Sequence, residues 1–206
     1  MKLYFAPGAC SLSPHIVARE LDIPLEIEKV DLKAKQTASG RDFLQINPKG
    51  YVPALELDNG EVLTEGPAIV QYLADQKPQA GLAPPNGTLT RARLQEMLNF
   101  ISSELHKTYS PLFSPATVAE TRDERKEYLR KRYTYIDKLL AKRRFLLGDQ
   151  FTVADAYLFV VTGWAKHADV DLSDFKAVAD FQQRVAARPA VQTAMLAEGL
   201  IKQQAA

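Results

Sequence analysis

Cysteine is nearly absent from this sequence: 206 residues include one, Cys10. A single cysteine cannot close an internal disulfide, which suits a reducing cytosol. It also excludes a dithiol cycle of the C-x-x-C kind, so a reactive Cys10 must form mixed disulfides or assist a bound thiol. Net charge is equally scarce. The 26 basic and 25 acidic residues leave +1, so no long-range field draws the chain to nucleic acid or an anionic membrane. No apolar run approaches the roughly 18–20 residues that a membrane helix needs. Met1–Phe5 runs straight into turn residues without the pattern of a secretory signal. Only three histidines occur, and His15 and His167 have no partner at metal-ligand spacing, so both read as structural and no metal site is expected. These absences predict a cytoplasmic protein whose partner is recognised at a local site.

What is present reads as two halves. Lys2–Phe5 is a short strand closed by the turn Ala6-Pro7-Gly8. A helix follows from about Ser11, since Pro14 is tolerated in a first turn and Ile16, Val17 and Leu21 form an apolar stripe. Leu25–Val30 alternates with period two, as a half-buried strand does. Val52–Leu57 and Glu61–Thr64 flank Asp58-Asn59-Gly60, and Asn-Gly between alternating strands signals a hairpin. A helix over Gly66–Gln76 closes the half. The order predicts a mixed four-stranded sheet with helices packed on it.

The stretch from Lys77 to Gly87 is dense in proline and glycine and reads as the linker. It divides the chain into domains at 1–81 and 87–206. Beyond it the pattern is helical throughout, with stripes at Leu94, Leu98, Ile101, Leu105 and at Leu129, Tyr133, Ile136, Leu140. Val153 to Ala165 is apolar nearly all round, as in a helix buried at the centre of a bundle.

Several residues carry chemistry at the junctions of these elements. Cys10 lies between a Pro-Gly turn and the first helix, where unpaired N–H groups and the helix dipole would favour a thiolate. Val52-Pro53 opens a strand, and its peptide is either an ordinary trans bond at a strand end or a cis bond presenting the Val52 backbone to a peptide-like ligand. Glu65-Gly66 opens a helix, where free N–H groups could take a carboxylate and Glu65 an ammonium group; the same pair also reads as a plain helix entry. Asn99, Ser103 and His106 share a helical face, either solvated or lining a cleft. Thr152 and Asp155 read as a capping box, with Phe151 as its staple on Ala156.

Together these motifs resemble the bacterial, cysteine-class (beta) glutathione transferases. The resemblance is carried by Met1–Tyr4 with Pro7–His15, Asn47–Leu55, Leu63–Asp75, Glu104–Lys107 and Leu147–Leu158, in order along the whole chain. It implies a thioredoxin-like α/β N-terminal domain, an all-α C-terminal domain with a hydrophobic substrate site, and a homodimer using glutathione as co-substrate, without metal. It further implies that Pro53 is cis. By resemblance, Cys10 lies beside the glutathione sulfur and Val52 pairs with the cysteinyl residue. Glu65 and Gly66 hold the γ-glutamyl end, and Lys35 reaches a carboxylate. His106, with Ser103, Glu104 and Leu105, closes the helical side, and Asn99 contributes across the dimer. Many relatives carry an acid–serine pair where this chain has Glu65-Gly66, which leaves only the backbone N–H at 66. Tyr4 and Ser11 stand as alternatives to Cys10, because other classes use tyrosine or serine there.

The implied activity is transfer of the glutathione thiol to small hydrophobic electrophiles, with Cys10 and His106 as catalytic residues and Tyr109, Phe113 and Trp164 lining the apolar pocket. Alternatives are a glutathione-dependent thiol–disulfide oxidoreductase or peroxidase, and a transferase-like binding protein without catalysis.

Overall fold

The computed structural model describes residues 1–202. The chain forms two compact units. One comprises Met1–Ala80 together with the chain from Ala187 on, and the other is Gly81–Ala186.

The first unit is built on a sheet of order β3-β2-β1-β4-β5. Strand β1 (Lys2–Phe5) pairs in parallel with β2 (Glu26–Asp31), Lys2 opposite Glu26 and Phe5 opposite Lys29. The crossover is helix α1 (Leu12–Glu20), as a parallel pair requires. On the other side β1 runs antiparallel to β4 (Ala54–Glu56), which forms the expected hairpin with β5 (Val62–Thr64). Gly60 takes a φ of 85° in that turn, where a side chain would be strained. The sheet thus has one strand more than the four expected. The addition is β3 (Gln36–Thr37), antiparallel to β2. Two residues are too few to show a period-two pattern, so the sequence carried no sign of it.

Helix α2 (Gly66–Gln76) starts with proline in its first turn, where the missing N–H has no helical acceptor anyway. Tyr4, Val30, Phe43, Ile46, Val52 and Ala54 form a core cluster of this unit. The last helix, α8 (Pro189–Ala197), packs on α1. Arg188 grips Glu20 through two bonds of 2.6 and 2.8 Å. Just past α8, the buried Glu198 accepts the Gly8 N–H at 3.1 Å and lies 3.0 Å from Nδ1 of the buried His15. The linker-based division grouped this helix with the helical half, since no local pattern reveals that the chain returns.

The second unit is helical. Helix α3 (Leu89–Phe100), capped by the Thr88 hydroxyl, passes into a π-helical turn over Ile101–His106 and then the short α4 (Lys107–Tyr109). Helix α5 (Ala119–Leu140) buries the expected stripe of Leu129, Tyr133, Ile136 and Leu140. Helix α6 (Val153–Gly163) has ten consecutive buried residues, as its all-round apolar sequence predicts. Helix α7 (Lys176–Ala186) ends the unit.

The capping box forms at the head of α6. Asp155 accepts the Thr152 N–H and hydroxyl at 2.8 and 2.7 Å, and its other oxygen takes the Leu146 N–H at 2.8 Å. Burial outweighs these donors and pushes the Asp155 carboxyl up to about 6.

Candidate active site

In the first unit the residues singled out at element junctions gather around one loop, Asn47 to Pro53. Asn47 is buried and organises the loop from within. Its amide donates to Tyr51 O at 2.7 Å, its side-chain oxygen accepts the Lys49 N–H at 3.2 Å, and its carbonyl accepts the Gly50 N–H at 2.8 Å. Gly50 has a φ of 70°, which the tight turn requires. Lys35, itself at positive φ, donates from Nζ to Gly50 O at 2.7 Å. The loop ends in a cis Val52–Pro53 peptide, as the family resemblance implies.

Cys10 lies one residue ahead of Ser11, the N-cap of α1. Its thiol donates to Val52 O at 3.2 Å, so the sulfur sits at the peptide that precedes Pro53. The residue keeps part of its surface open. Even so, loss of hydration pushes the thiol up to about 12, against the pull of the Cys10 and Ser11 N–H groups and with a smaller push from the Glu65 charge. The helix start therefore does not deliver the thiolate expected from the sequence. Burial wins, and Cys10 rests as a neutral donor.

The alternatives to Cys10 are engaged elsewhere. Tyr4 is fully buried and donates to Glu56 at 2.5 Å, with its hydroxyl pushed up to about 12, chiefly by burial. The Ser11 hydroxyl exchanges bonds with the backbone of Ala6.

Glu65 precedes α2 with a φ of 69°, a conformation rare outside glycine and concentrated at functional sites. Its Oε1 accepts from Lys49 Nζ at 2.7 Å and from Tyr51 OH at 2.6 Å. Gly66 is buried, and a Cβ there would meet only the Pro53 ring, at 4.0 Å. The loop thus links Cys10, Lys35, Val52, Pro53, Glu65 and Gly66. Sequence reasoning missed Asn47, Lys49 and Tyr51 as contributors, although the Asn-Pro-Lys-Gly-Tyr-Val-Pro string that contains them was the available signal.

In the second unit His106 ends the π turn, a distortion often found at functional sites. Its Nδ1 lies 2.6 Å from the Tyr157 hydroxyl, and its ring meets Trp164 edge-on at 4.8 Å between centroids. Trp164 also meets Tyr109 and Phe113 edge-on, at 5.9 and 5.8 Å, and half of the Phe113 surface is exposed. Asn99 and Ser103 are exposed, and the Ser103 hydroxyl donates to Asn99 O at 3.0 Å. The Glu104 carboxylate is held by Tyr128 at 2.5 Å and Arg132 at 2.8 Å, both on α5. Leu105 is fully buried, so only its backbone can face a ligand.

Comparison with known proteins identifies the family. Residues 8–76 match the glutathione S-transferase N-terminal domain, and residues 100–189 match its C-terminal domain. Glutathione S-transferase GstA of Escherichia coli O157:H7 is 45% identical over 97% of this chain and all of its own length. A sphingomonad glutathione S-transferase solved in complex with glutathione is 48% identical, covering 98% of this chain and all of that one with a TM-score of 0.94. The bacterial beta-class enzyme of Sphingomonas chungbukensis is 46% identical over the same shares, with a TM-score of 0.95. The chain belongs to the glutathione S-transferase family, with a thioredoxin-like N-terminal and a helical C-terminal domain. Within that family it is of the bacterial beta class.

Proposed function

We propose that the protein joins the thiol of glutathione to small hydrophobic electrophiles, and that Cys10 also forms a mixed disulfide with glutathione. The observation carrying this reading is the 3.2 Å contact between the Cys10 sulfur and Val52 O, on the loop that also reaches Glu65. Glutathione supplies the nucleophilic sulfur. Val52 pairs its backbone with the cysteinyl residue, and Glu65 and the Gly66 N–H receive the ammonium and carboxylate of the γ-glutamyl end. Lys35 receives the other carboxylate. The neutral Cys10 thiol, a donor in the resting structure, turns its S–H toward the glutathione sulfur and favours the thiolate there.

Residues 1–81 serve as the glutathione-binding domain. In the helical part, His106 with Ser103, Glu104 and the Leu105 backbone serves glutathione, while Tyr109, Phe113 and Trp164 accept the electrophile. The working form is a cytoplasmic homodimer in which Asn99 serves the partner's site. Among the described residues no helix is long and apolar enough to cross a membrane, and no group of His, Cys, Asp or Glu is set to hold a metal.

Thiol–disulfide exchange is the second reading, favoured by the placement of Cys10. The Cys10 sulfur attacks oxidised glutathione, the disulfide bond breaks, and one reduced glutathione leaves with the Cys10 proton. The Cys10→Ala variant separates the two roles. Conjugation, measured as kcat/KM, should fall by about tenfold, the worth of one donor hydrogen bond, while the glutathionyl adduct seen by mass spectrometry disappears. A loss of conjugation beyond about a thousandfold, more than one such bond supplies, would make Cys10 the conjugating catalyst. Failure to be retained on immobilised glutathione would support a binding protein that has lost the chemistry.

A further inference from the structure

Glu65 already has an ammonium group on it. Lys49 Nζ lies 2.7 Å from Glu65 Oε1 and 2.9 Å from the Thr64 hydroxyl, both distances of full hydrogen bonds. We propose that Lys49 is a built-in stand-in for the ammonium group of glutathione, holding Glu65 in its binding geometry and leaving when the ligand arrives. This rests on the reading that Glu65 receives the γ-glutamyl ammonium.

The two groups have the same charge and the same donors, so one carboxylate oxygen can serve either but not both at full strength. Two cations on one oxygen would repel. The exchange is easy for three reasons. Lys49 and Glu65 side chains are 47% and 54% exposed, and an exposed ion pair of this kind shifts an equilibrium by about fivefold at most. The lysine stem has four rotatable carbons and finds new positions at little cost. The backbone beneath it does not need to move, because Asn47 and Lys35 hold the loop through Lys49 N–H, Gly50 O and Tyr51 O.

Tyr51 plays the complementary part. Its hydroxyl bonds the same Oε1 at 2.6 Å without bringing charge, so it can keep the carboxylate aimed while the cations exchange. Glu65 at a φ of 69° is thereby held by side chains on both of its chemical needs, orientation and charge.

Two consequences are measurable. Wild-type binding swaps one cation for another on Glu65, so this contact adds little to the salt dependence of glutathione affinity. Without Lys49, binding brings a cation to a carboxylate no longer neutralised by it, so affinity should rise and become more salt-sensitive than in wild type. The experiment compares wild type, Lys49→Met, Lys49→Arg and Glu65→Gln by calorimetric titration with reduced glutathione at low and high salt, together with KM and kcat for conjugation of a nitroaryl halide.

Lys49→Met should lower Kd and KM about three- to fivefold at low salt and lose the gain at high salt. Lys49→Arg should stay near wild type. Glu65→Gln should raise Kd at least tenfold for glutathione, but not for its analogue lacking the α-amino group. Unchanged Kd in Glu65→Gln would overturn the ammonium reading and the proposal with it. A raised Kd in Glu65→Gln with an unchanged or raised Kd in Lys49→Met would overturn the stand-in role alone, and a raised value would mark Lys49 as a direct ligand contact.

Discussion

Cys10 shows how far one residue's chemistry depends on what surrounds it. A cysteine ahead of a helix ordinarily gains thiolate character from the dipole and the free N–H groups. Here desolvation outweighs both, and the thiol is pushed up to about 12. An acid with a raised pKa stays protonated through neutral pH, so the ligand-free enzyme should alkylate slowly at pH 7. The iodoacetamide rate at Cys10, followed by mass spectrometry, should climb about tenfold per pH unit without levelling off below roughly pH 10. A plateau near pH 7 would show a polarised thiolate and restore the expectation drawn from helix position. The sequence could place Cys10 but not foresee its state, because the groups that bury it include Val52, 42 residues away. Lys49 and Tyr51 escaped notice for a similar reason: their partner Glu65 lies 16 and 14 residues further on, and no local periodicity ties them to it.

At the scale of elements, α6 illustrates a buried cap with a pH signature. Asp155 holds the first turn through Thr152 and the preceding loop through Leu146, and burial raises its carboxyl to about 6 from an ordinary 3.8. A carboxyl raised on folding stabilises the fold most fully below about pH 4 and loses that contribution as pH rises through 6. The full span is roughly 3 kcal/mol. Glu28, lowered to about 2 by its hydrogen bonds to Ser39 and Thr37 against the opposing effect of burial, slopes the other way at lower pH. The comparison must therefore be between wild type and Asp155→Asn. Urea-unfolding midpoints at pH 4 and pH 7 should show a wild-type decline that the variant lacks, and parallel behaviour would refute the assignment. This cap, the β4–β5 hairpin and the α2 entry were legible because each has a local signature: Thr-x-x-Asp, Asn-Gly, and Gly-Pro before an apolar run. The π turn over Ile101–His106 was not, since its apolar spacing matches an ordinary helix on both sides.

At the scale of the whole molecule, the chain leaves its first unit at Ala80 and returns to it at Ala187. The return is anchored by Arg188 on Glu20 and by Glu198 on His15 and Gly8. Residues 1–80 expressed alone should accordingly lack a cooperative thermal transition. Joining residues 187–202 to them through a short flexible linker should restore one, and Glu198→Ala in that fusion should lower its stability by about 2–3 kcal/mol, because a buried histidine loses its partner. A cooperative transition in 1–80 alone would show that α8 is dispensable to the unit.

The same topology makes residues 81–186 an insertion with two splice points. Every bond named here around Cys10, Lys35, Val52 and Glu65 lies outside it. With His106 and Ser103 to Leu105 kept fixed, since these are proposed to serve glutathione, the rest of the segment can be varied as one cassette, which lets new electrophile preferences be selected while the Cys10 loop stays constant.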